Sequence, residues 1–124
     1  MNDLKYPKMR EELIGHLLAL SDVDYQHRVW VLGGADEKTG TIHDEFDYAV
    51  HFFYDDSLLA REPDLTVGWI LRDQAEVVKI SKLIESMELI FQKYGTKLSD
   101  REYIELPEWG AVVAAAKDAA LLIR

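Results

Sequence analysis

The sequence of 124 residues contains no cysteine. Without cysteine the chain has no disulfide, no thiolate metal ligand and no cysteine nucleophile. Because small secreted domains commonly carry disulfides, this composition favours a protein of the reducing cytoplasm. Long hydrophobic runs are missing as well, since no apolar stretch approaches the ~20 residues that a membrane-spanning helix needs. The first residues also lack the basic-then-apolar pattern of a signal peptide.

Proline and glycine are scarce, with 3 and 7 residues respectively. The chain has no linker rich in these residues or in serine, no internal repeat and no low-complexity tract. Its length matches one domain of roughly 100–150 residues. We therefore expect residues 1–124 to form a single domain. The hydrophobic content of 48% is that of a globular protein and argues against disorder.

Basic residues are outnumbered, because 14 lysines and arginines face 23 aspartates and glutamates and the net charge is −9. A charge of this sign repels phosphate backbones and anionic lipids, so we expect neither nucleic acid nor a membrane surface as a partner. The charge suits cations and basic proteins instead. The alternative is that it serves only to keep the protein soluble. The sequence leaves the oligomeric state open.

Helical spacing of apolar residues predicts an all-α fold, an irregular bundle of four to six helices with one long central helix. The first helix is predicted from about Pro7 to Leu20, with proline in the first turn, where no backbone N–H is needed. The long helix carries Ile84 in the middle of its apolar stripe and ends at Gly95. Helix-start signals resembling capping boxes occur at Ser21 with Asp24, Asp73 with Glu76, and Ser99 with Glu102.

Two short segments fit either a helix or a strand. Residues 29–32 are apolar throughout, and periodicity cannot separate the two structures over so few residues. Residues 46–54 form a helical stripe if Asp44 caps them, or an alternating aromatic strand if they are extended. We prefer the helix for residues 46–54. If both segments are strands, the fold becomes α+β with a small hairpin.

One set of possible metal ligands stands out, namely His43, Asp47 and His51. In a helix, residues four apart lie on the same face, so the two imidazoles and the carboxylate could together hold a transition metal. The set lacks the glutamate base or third histidine of known metal-binding helices. The alternative is that Asp47 and His51 form an exposed hydrogen-bonded pair. A metal-binding protein or metal-dependent enzyme is therefore the second functional hypothesis.

No other pattern indicates catalysis. Each serine has a local explanation as a cap, loop or surface residue, and none lies in a Gly-x-Ser-x-Gly turn. The Gly33-Gly34 doublet lacks the lysine and further glycines of a phosphate-binding loop. The paired carboxylates show no apolar pocket that would raise one pKa. The sequence therefore predicts no catalytic residue and no cofactor, and it favours a binding protein over an enzyme.

The distribution of charge is more informative. Between Asp44 and Asp64 lie seven acidic residues and one basic residue, Arg61, so this segment supplies −6 of the net −9. Aromatic residues interleave with the acids, and acids around aromatic anchors are typical of a surface that binds a basic protein. The alternative is a solvated acidic rim over an aromatic core. The predicted partner-binding residues are Asp44, Glu45, Asp47, Tyr54, Asp55 and Asp56.

Four stretches carry a resemblance to known proteins: YQHRVWVLG, DEFDYAVHFFYDD, GWILRD and LPEWGAVVAAA. With them, from about Met9 onward, the chain resembles a group of small acidic bacterial proteins of uncharacterised function. In size and charge it is also similar to the immunity proteins of toxin–antitoxin and contact-inhibition systems. This second resemblance implies a module that presents its acidic face to a basic partner such as a nuclease toxin. Neither resemblance implies an active site.

Overall fold

A computed structural model of the protein describes residues 4–33 and 44–124. These residues form six helices: α1, Pro7–Leu20; α2, Val23–Tyr25, which continues as a π-helix over Gln26–Val31; α3, Phe46–His51, which continues as a π-helix over Phe52–Asp56; α4, Gln74–Tyr94; α5, Asp100–Ile104; and α6, Trp109–Leu122. A 3₁₀ turn, Pro63–Thr66, lies between α3 and α4. The described ranges contain no strand, so the predicted all-α irregular bundle is confirmed and both ambiguous segments are helical.

Helix α4 is the predicted long central helix. Asp73 begins it by accepting a hydrogen bond from the backbone N–H of Glu76 at 3.1 Å, and Gly95 ends it at a φ of 83°. The left-handed conformation at Gly95 carries little strain because glycine has no Cβ. The predicted stripe includes Ile84, which is buried. Leu83 and Ile90 are also buried, so the core face of α4 is wider than the sequence predicted.

Helices α1 and α6 pack against each other, and α6 also packs on α4. Their shared core contains Leu13 and Leu17 of α1 and Val112 and Ala116 of α6, all fully buried. No helix in the described part of the chain is both long and apolar enough to cross a bilayer.

The start of α2 corrects one sequence prediction. Asp22, rather than Ser21, accepts the capping hydrogen bond, from the N–H of Tyr25 at 3.0 Å. The hydroxyl of Ser21 instead donates to the carbonyl of Leu18 at 2.9 Å. Ser21 immediately follows α1, so its hydroxyl satisfies one of the free carbonyls at that helix end rather than an N–H of the next helix. Gly33, with a φ of 68°, follows the end of this helix.

Candidate functional site

Helix α3, with its π-helical continuation, has an aromatic face and an acidic face. The aromatic face includes Phe46, Phe52 and Phe53, each at most 3% exposed. Phe52 stacks on His16 of α1, with ring centroids 4.8 Å apart, and Phe46 packs edge-on against Tyr103 of α5 at 5.2 Å. These phenylalanines therefore belong to the core, and Phe46 also lines a cleft that is described below.

The opposite side of α3 is exposed. This side carries four carboxylates, and we call the surface that they form the acidic face. It consists of Glu45, Asp47, Asp55 and Asp56. Glu45 is half-buried at the start of the helix, and the three aspartates are exposed. Of the six predicted partner-binding residues, Asp47, Asp55 and Asp56 are thus exposed on α3 and its π-helical continuation, and Glu45 immediately precedes the helix.

His51 lies within the acidic face between two carboxylates. Its Nδ1 is 2.6 Å from Asp55 Oδ2 and its Nε2 is 3.3 Å from Asp47 Oδ2. The hydrogen bond with Asp55, followed by the charge of Asp47, raises the pKa of His51 above its usual 6.5. Proton binding is favoured here because an imidazolium can donate to both carboxylates at once.

The metal prediction involved His43, Asp47 and His51. His43 lies outside the described residues. Asp47 and His51 are exposed, with His51 Nε2 3.3 Å from Asp47 Oδ2, and both ring nitrogens of His51 face carboxylates. A histidine that binds a metal must present an unprotonated nitrogen to it. Within residues 4–33 and 44–124, no three histidines or carboxylates are grouped so as to hold a metal ion.

The sequence suggested that Asp44 caps α3, but in the structure it does not. Its Oδ2 accepts hydrogen bonds from the hydroxyl of Tyr25 at 2.6 Å and from the indole N–H of Trp30 at 2.9 Å. Burial, together with the hydrogen bond to Asp44, raises the pKa of Tyr25 and keeps its hydroxyl protonated as a donor. The carboxylate therefore ties α2 to the start of α3, and it lies at the edge of the acidic face.

Tyr54 is half-buried rather than projecting from the acidic face. Its hydroxyl donates to Glu88 of α4 at 2.6 Å, and its ring packs edge-on against Phe91, with centroids 6.3 Å apart. The structure therefore places Tyr54 in the contact between α3 and α4.

Asp100, which the sequence analysis missed, supplies the cap that Asp44 does not. It lies in the first turn of α5, and its Oδ2 accepts a hydrogen bond from the N–H of Phe46 at 3.1 Å. Burial, with smaller contributions from the charges of Glu45 and Asp47, raises the pKa of Asp100. Ser99 and Glu102 form the predicted capping box of α5. The local sequence therefore predicted the start of this helix, but not the hydrogen bond between Asp100 and the N–H of Phe46, which lies 54 residues away in the chain.

A cleft of about 290 Å³ lies where the start of α3 meets the end of α4 and the start of α5. Its lining combines an aromatic and aliphatic floor with charged residues: Glu45, Phe46, Asp47, Val50, Phe91, Thr96, Lys97, Leu98, Asp100 and Tyr103. We call this the α3–α5 cleft. It joins the acidic face to the aromatic residues beneath it.

A second cleft, of about 450 Å³, lies beside α1. His16 lines it together with three carboxylates, those of Glu12, Asp22 and Asp44. Burial lowers the pKa of His16, although the surrounding carboxylates oppose this effect. The hydroxyl of Tyr25 also lines this cleft, where it donates a hydrogen bond to Asp44.

Among the described residues, no acid of the Asp44–Asp64 segment forms an ion pair with a lysine or arginine. The lysine and arginine ion pairs of the described residues join Arg10 with Glu76, Lys79 with Asp118, Lys93 with Glu108, and Arg101 with Glu105. None of these includes an acid from the segment. The acidic face therefore carries negative charge that is balanced within the described chain only where His51 is protonated.

Comparison with known proteins identifies a family but no activity. A family model described as a domain of unknown function, DUF7945, matches residues 4–124, so the chain belongs to this family. No curated protein and no solved structure matches the chain significantly. The expected membership of an uncharacterised family is confirmed.

Proposed function

We propose that this member of the DUF7945 family is a protein-binding module that presents the acidic face of α3 to a basic protein partner. One observation carries the proposal: three carboxylates on α3 and its continuation and a fourth at the N-cap pair with no lysine or arginine of the described chain. Asp44 and Tyr54 do not belong to this face. Their hydrogen bonds, from Asp44 to α2 and from Tyr54 to α4, hold α3 in position.

Clustered like charges make folding less favourable. Burial is the main cause of the raised pKa of Asp100, and the charges of Glu45 and Asp47 add to it. Neutral polar residues would keep the same surface soluble without the repulsion. A basic partner would relieve the repulsion on binding, and its approach would be accelerated by long-range attraction. The arrangement is thus better suited to binding a cationic surface than to solubility alone.

We propose further that the partner is a basic toxin, so that the protein acts as an immunity protein does. The support is the likeness in size and charge described above. Carboxylates on a protein surface can occupy a site that evolved for phosphates, because both present negative oxygens to the same basic residues. A nuclease toxin is therefore the partner class that best fits the acidic face.

The test is affinity capture from the source cell with the wild-type protein and two double variants. Asp55→Asn with Asp56→Asn removes two charges from the acidic face. Glu11→Gln with Asp118→Asn removes two exposed charges elsewhere, on α1 and α6. We expect a basic protein that is retained by the wild type and the control but lost or weakened with the first variant. An acidic captured protein, or equal retention by both variants, would contradict the proposal.

A further inference from the structure

We propose that the α3–α5 cleft is an anchor pocket that receives one arginine side chain of the basic partner. This inference rests on the proposed function, because it specifies how a basic protein engages the acidic face. It adds a site that the sequence did not indicate, formed by residues from three helices.

The floor of the cleft suits the stem and the flat face of a guanidinium group. Of the aromatic residues in the lining, Phe91 is partly exposed, whereas Phe46 and Tyr103 are buried beside it, with centroids 6.2 and 6.1 Å from that of Phe91. Phe91 is half-buried although it belongs to the core stripe of α4. Aromatic faces attract arginine because the delocalised cation is weakly hydrated and stacks on a π-system.

The rim supplies carboxylates around this floor. Glu45, Asp47 and Asp100 contribute three negative charges, and Lys97 contributes one positive charge. Lys97 is exposed and forms no ion pair with any residue that the structure describes. The lining therefore carries a net charge of −2 when all four groups are ionised, which is complementary to a cationic side chain.

Asp100 is the carboxylate best placed to receive the cation. One oxygen, Oδ2, accepts from the N–H of Phe46, and Oδ1 has no hydrogen bond from the described chain. Burial and the neighbouring carboxylates raise the pKa of Asp100. A guanidinium beside Oδ1 would replace lost solvation with charge-assisted hydrogen bonds, which are about twice as strong as neutral ones.

Arginine fits these features better than other cations. The volume of about 290 Å³ is at the small end of the range for ligand sites, so the cleft suits a single side chain rather than a large cofactor. Lysine carries a compact, strongly hydrated charge that gains less from an aromatic floor. Arginine presents five donors in a planar fork, enough to reach more than one rim carboxylate.

The experiment is a titration of the ¹⁵N-labelled protein with the peptide acetyl-Gly-Arg-Gly-amide, followed by nuclear magnetic resonance. Peptides with lysine or citrulline in place of arginine are the ligand controls. We expect saturable shifts at the amides of Phe46, Leu98 and Tyr103 with arginine, weaker binding with lysine, and none with the uncharged citrulline. Equal binding of arginine and lysine, or shifts spread over all acidic surfaces, would overturn the anchor pocket.

Protein variants test the same geometry. Asp100→Asn removes the charge but keeps an oxygen that can accept from the Phe46 N–H. Asp47→Asn also removes one charge from the cleft, and because Asp47 is exposed this variant should not impair folding. We expect Asp100→Asn to weaken arginine binding by about tenfold, the usual effect of one charged hydrogen bond, and Asp47→Asn to weaken it less. Glu11→Gln, outside the cleft, should have no effect.

The anchor pocket and the proposed function can fail separately. If the peptide does not bind in the cleft while neutralising Asp55 and Asp56 still weakens the captured partner, the pocket is refuted and the proposed function stands. If the peptide binds in the cleft but capture is insensitive to the acidic face, the proposed function is refuted. Unchanged peptide binding in both Asp100→Asn and Asp47→Asn would also refute the pocket.

Discussion

Arg10 of α1 and Glu76 of α4 form a buried, bidentate ion pair, with Nη1–Oε1 and Nη2–Oε2 distances of 2.8 and 2.9 Å. Arg10 Nη1 also donates to the carbonyl of Ile70 at 3.0 Å, and Glu76 Oε1 accepts from the N–H of Arg72 at 2.7 Å. Two charges are thus removed from water with several of their hydrogen-bonding groups satisfied. The pair joins the first helix to the start of the longest one.

Breaking this pair from one side should be costly. Glu76→Ala leaves the Arg10 guanidinium buried without its counter-charge, and such losses commonly amount to about 3–5 kcal/mol. We expect a decrease of that size in the free energy of unfolding, measured with urea. The matched control is Asp118→Ala, which breaks the exposed pair with Lys79 and should cost at most about 1 kcal/mol. Similar costs for both variants would show that the buried pair is not a stabilising contact.

The same pair predicts a pH dependence. Burial alone would raise the pKa of Glu76, but hydrogen bonds from Arg10 and the Arg72 N–H lower it below its usual 4.5. A lowered pKa in the folded state means that the stabilisation is fully present above pH 4.5 and is lost as the pH falls through the folded value. We expect the wild type to lose more stability than Glu76→Gln between pH 5 and pH 3, about the range of these carboxylate pKa values. Parallel stability curves would contradict this assignment.

Core packing gives a prediction within α4. Ile84 is 7% exposed and lies in the core, whereas Leu89 of the same helix is 63% exposed. Truncation of Ile84 to alanine should lower the free energy of unfolding by about 2–5 kcal/mol, because it removes buried methyl groups and leaves a cavity. Leu89→Ala should change it by less than about 0.5 kcal/mol. Equal effects would mean that the wrong side of α4 faces the core.

His51 should titrate above its usual value. The hydrogen bond with Asp55 and the charge of Asp47 raise its pKa above 6.5, so its contribution to stability is present below pH 6.5 and is lost as the pH rises through the folded value. Imidazole resonances followed by nuclear magnetic resonance should give a pKa above 6.5 in the wild type and a lower one in Asp55→Asn. Asp118→Asn, on α6, should leave the His51 titration unchanged. An identical His51 pKa in wild type and Asp55→Asn would disprove the hydrogen bond.

Local signals predicted those parts of the fold that local contacts determine. Asp73 and Gly95 mark the ends of α4 because a cap and a left-handed glycine act within one turn of the helix. The roles of Asp44 and Asp100 could not be predicted in the same way. Asp44 binds Tyr25 and Trp30, and Asp100 binds the Phe46 N–H, so their contacts depend on tertiary packing.

The π-helix of α3 explains why Tyr54 was misplaced. A helical stripe predicted from a period of 3.6 residues fails where each turn takes up an additional residue. After His51 the chain has π geometry, so Phe52 and Phe53 both face the core and Tyr54 turns toward Glu88. Sequence periodicity predicted the helix and a stripe that includes Phe46 and Phe53, both of which are buried, but it did not predict the burial of Phe52 or the half-buried position of Tyr54.

Association kinetics give the most direct test of the acidic face. Screening acts over a Debye length of roughly 8 Å at physiological salt, so charges accelerate the approach of a partner while packed contacts set its dissociation. Once a basic partner is captured, neutralising Asp55 and Asp56 to asparagine should slow association in stopped-flow measurements and flatten its dependence on salt. The dissociation rate should change less, because both side chains are exposed. The Glu11→Gln and Asp118→Asn control should keep a steeper salt dependence than this variant. If association at low salt is as fast with the Asp55 and Asp56 variant as with the wild type, the charge of α3 does not steer a partner and serves solubility.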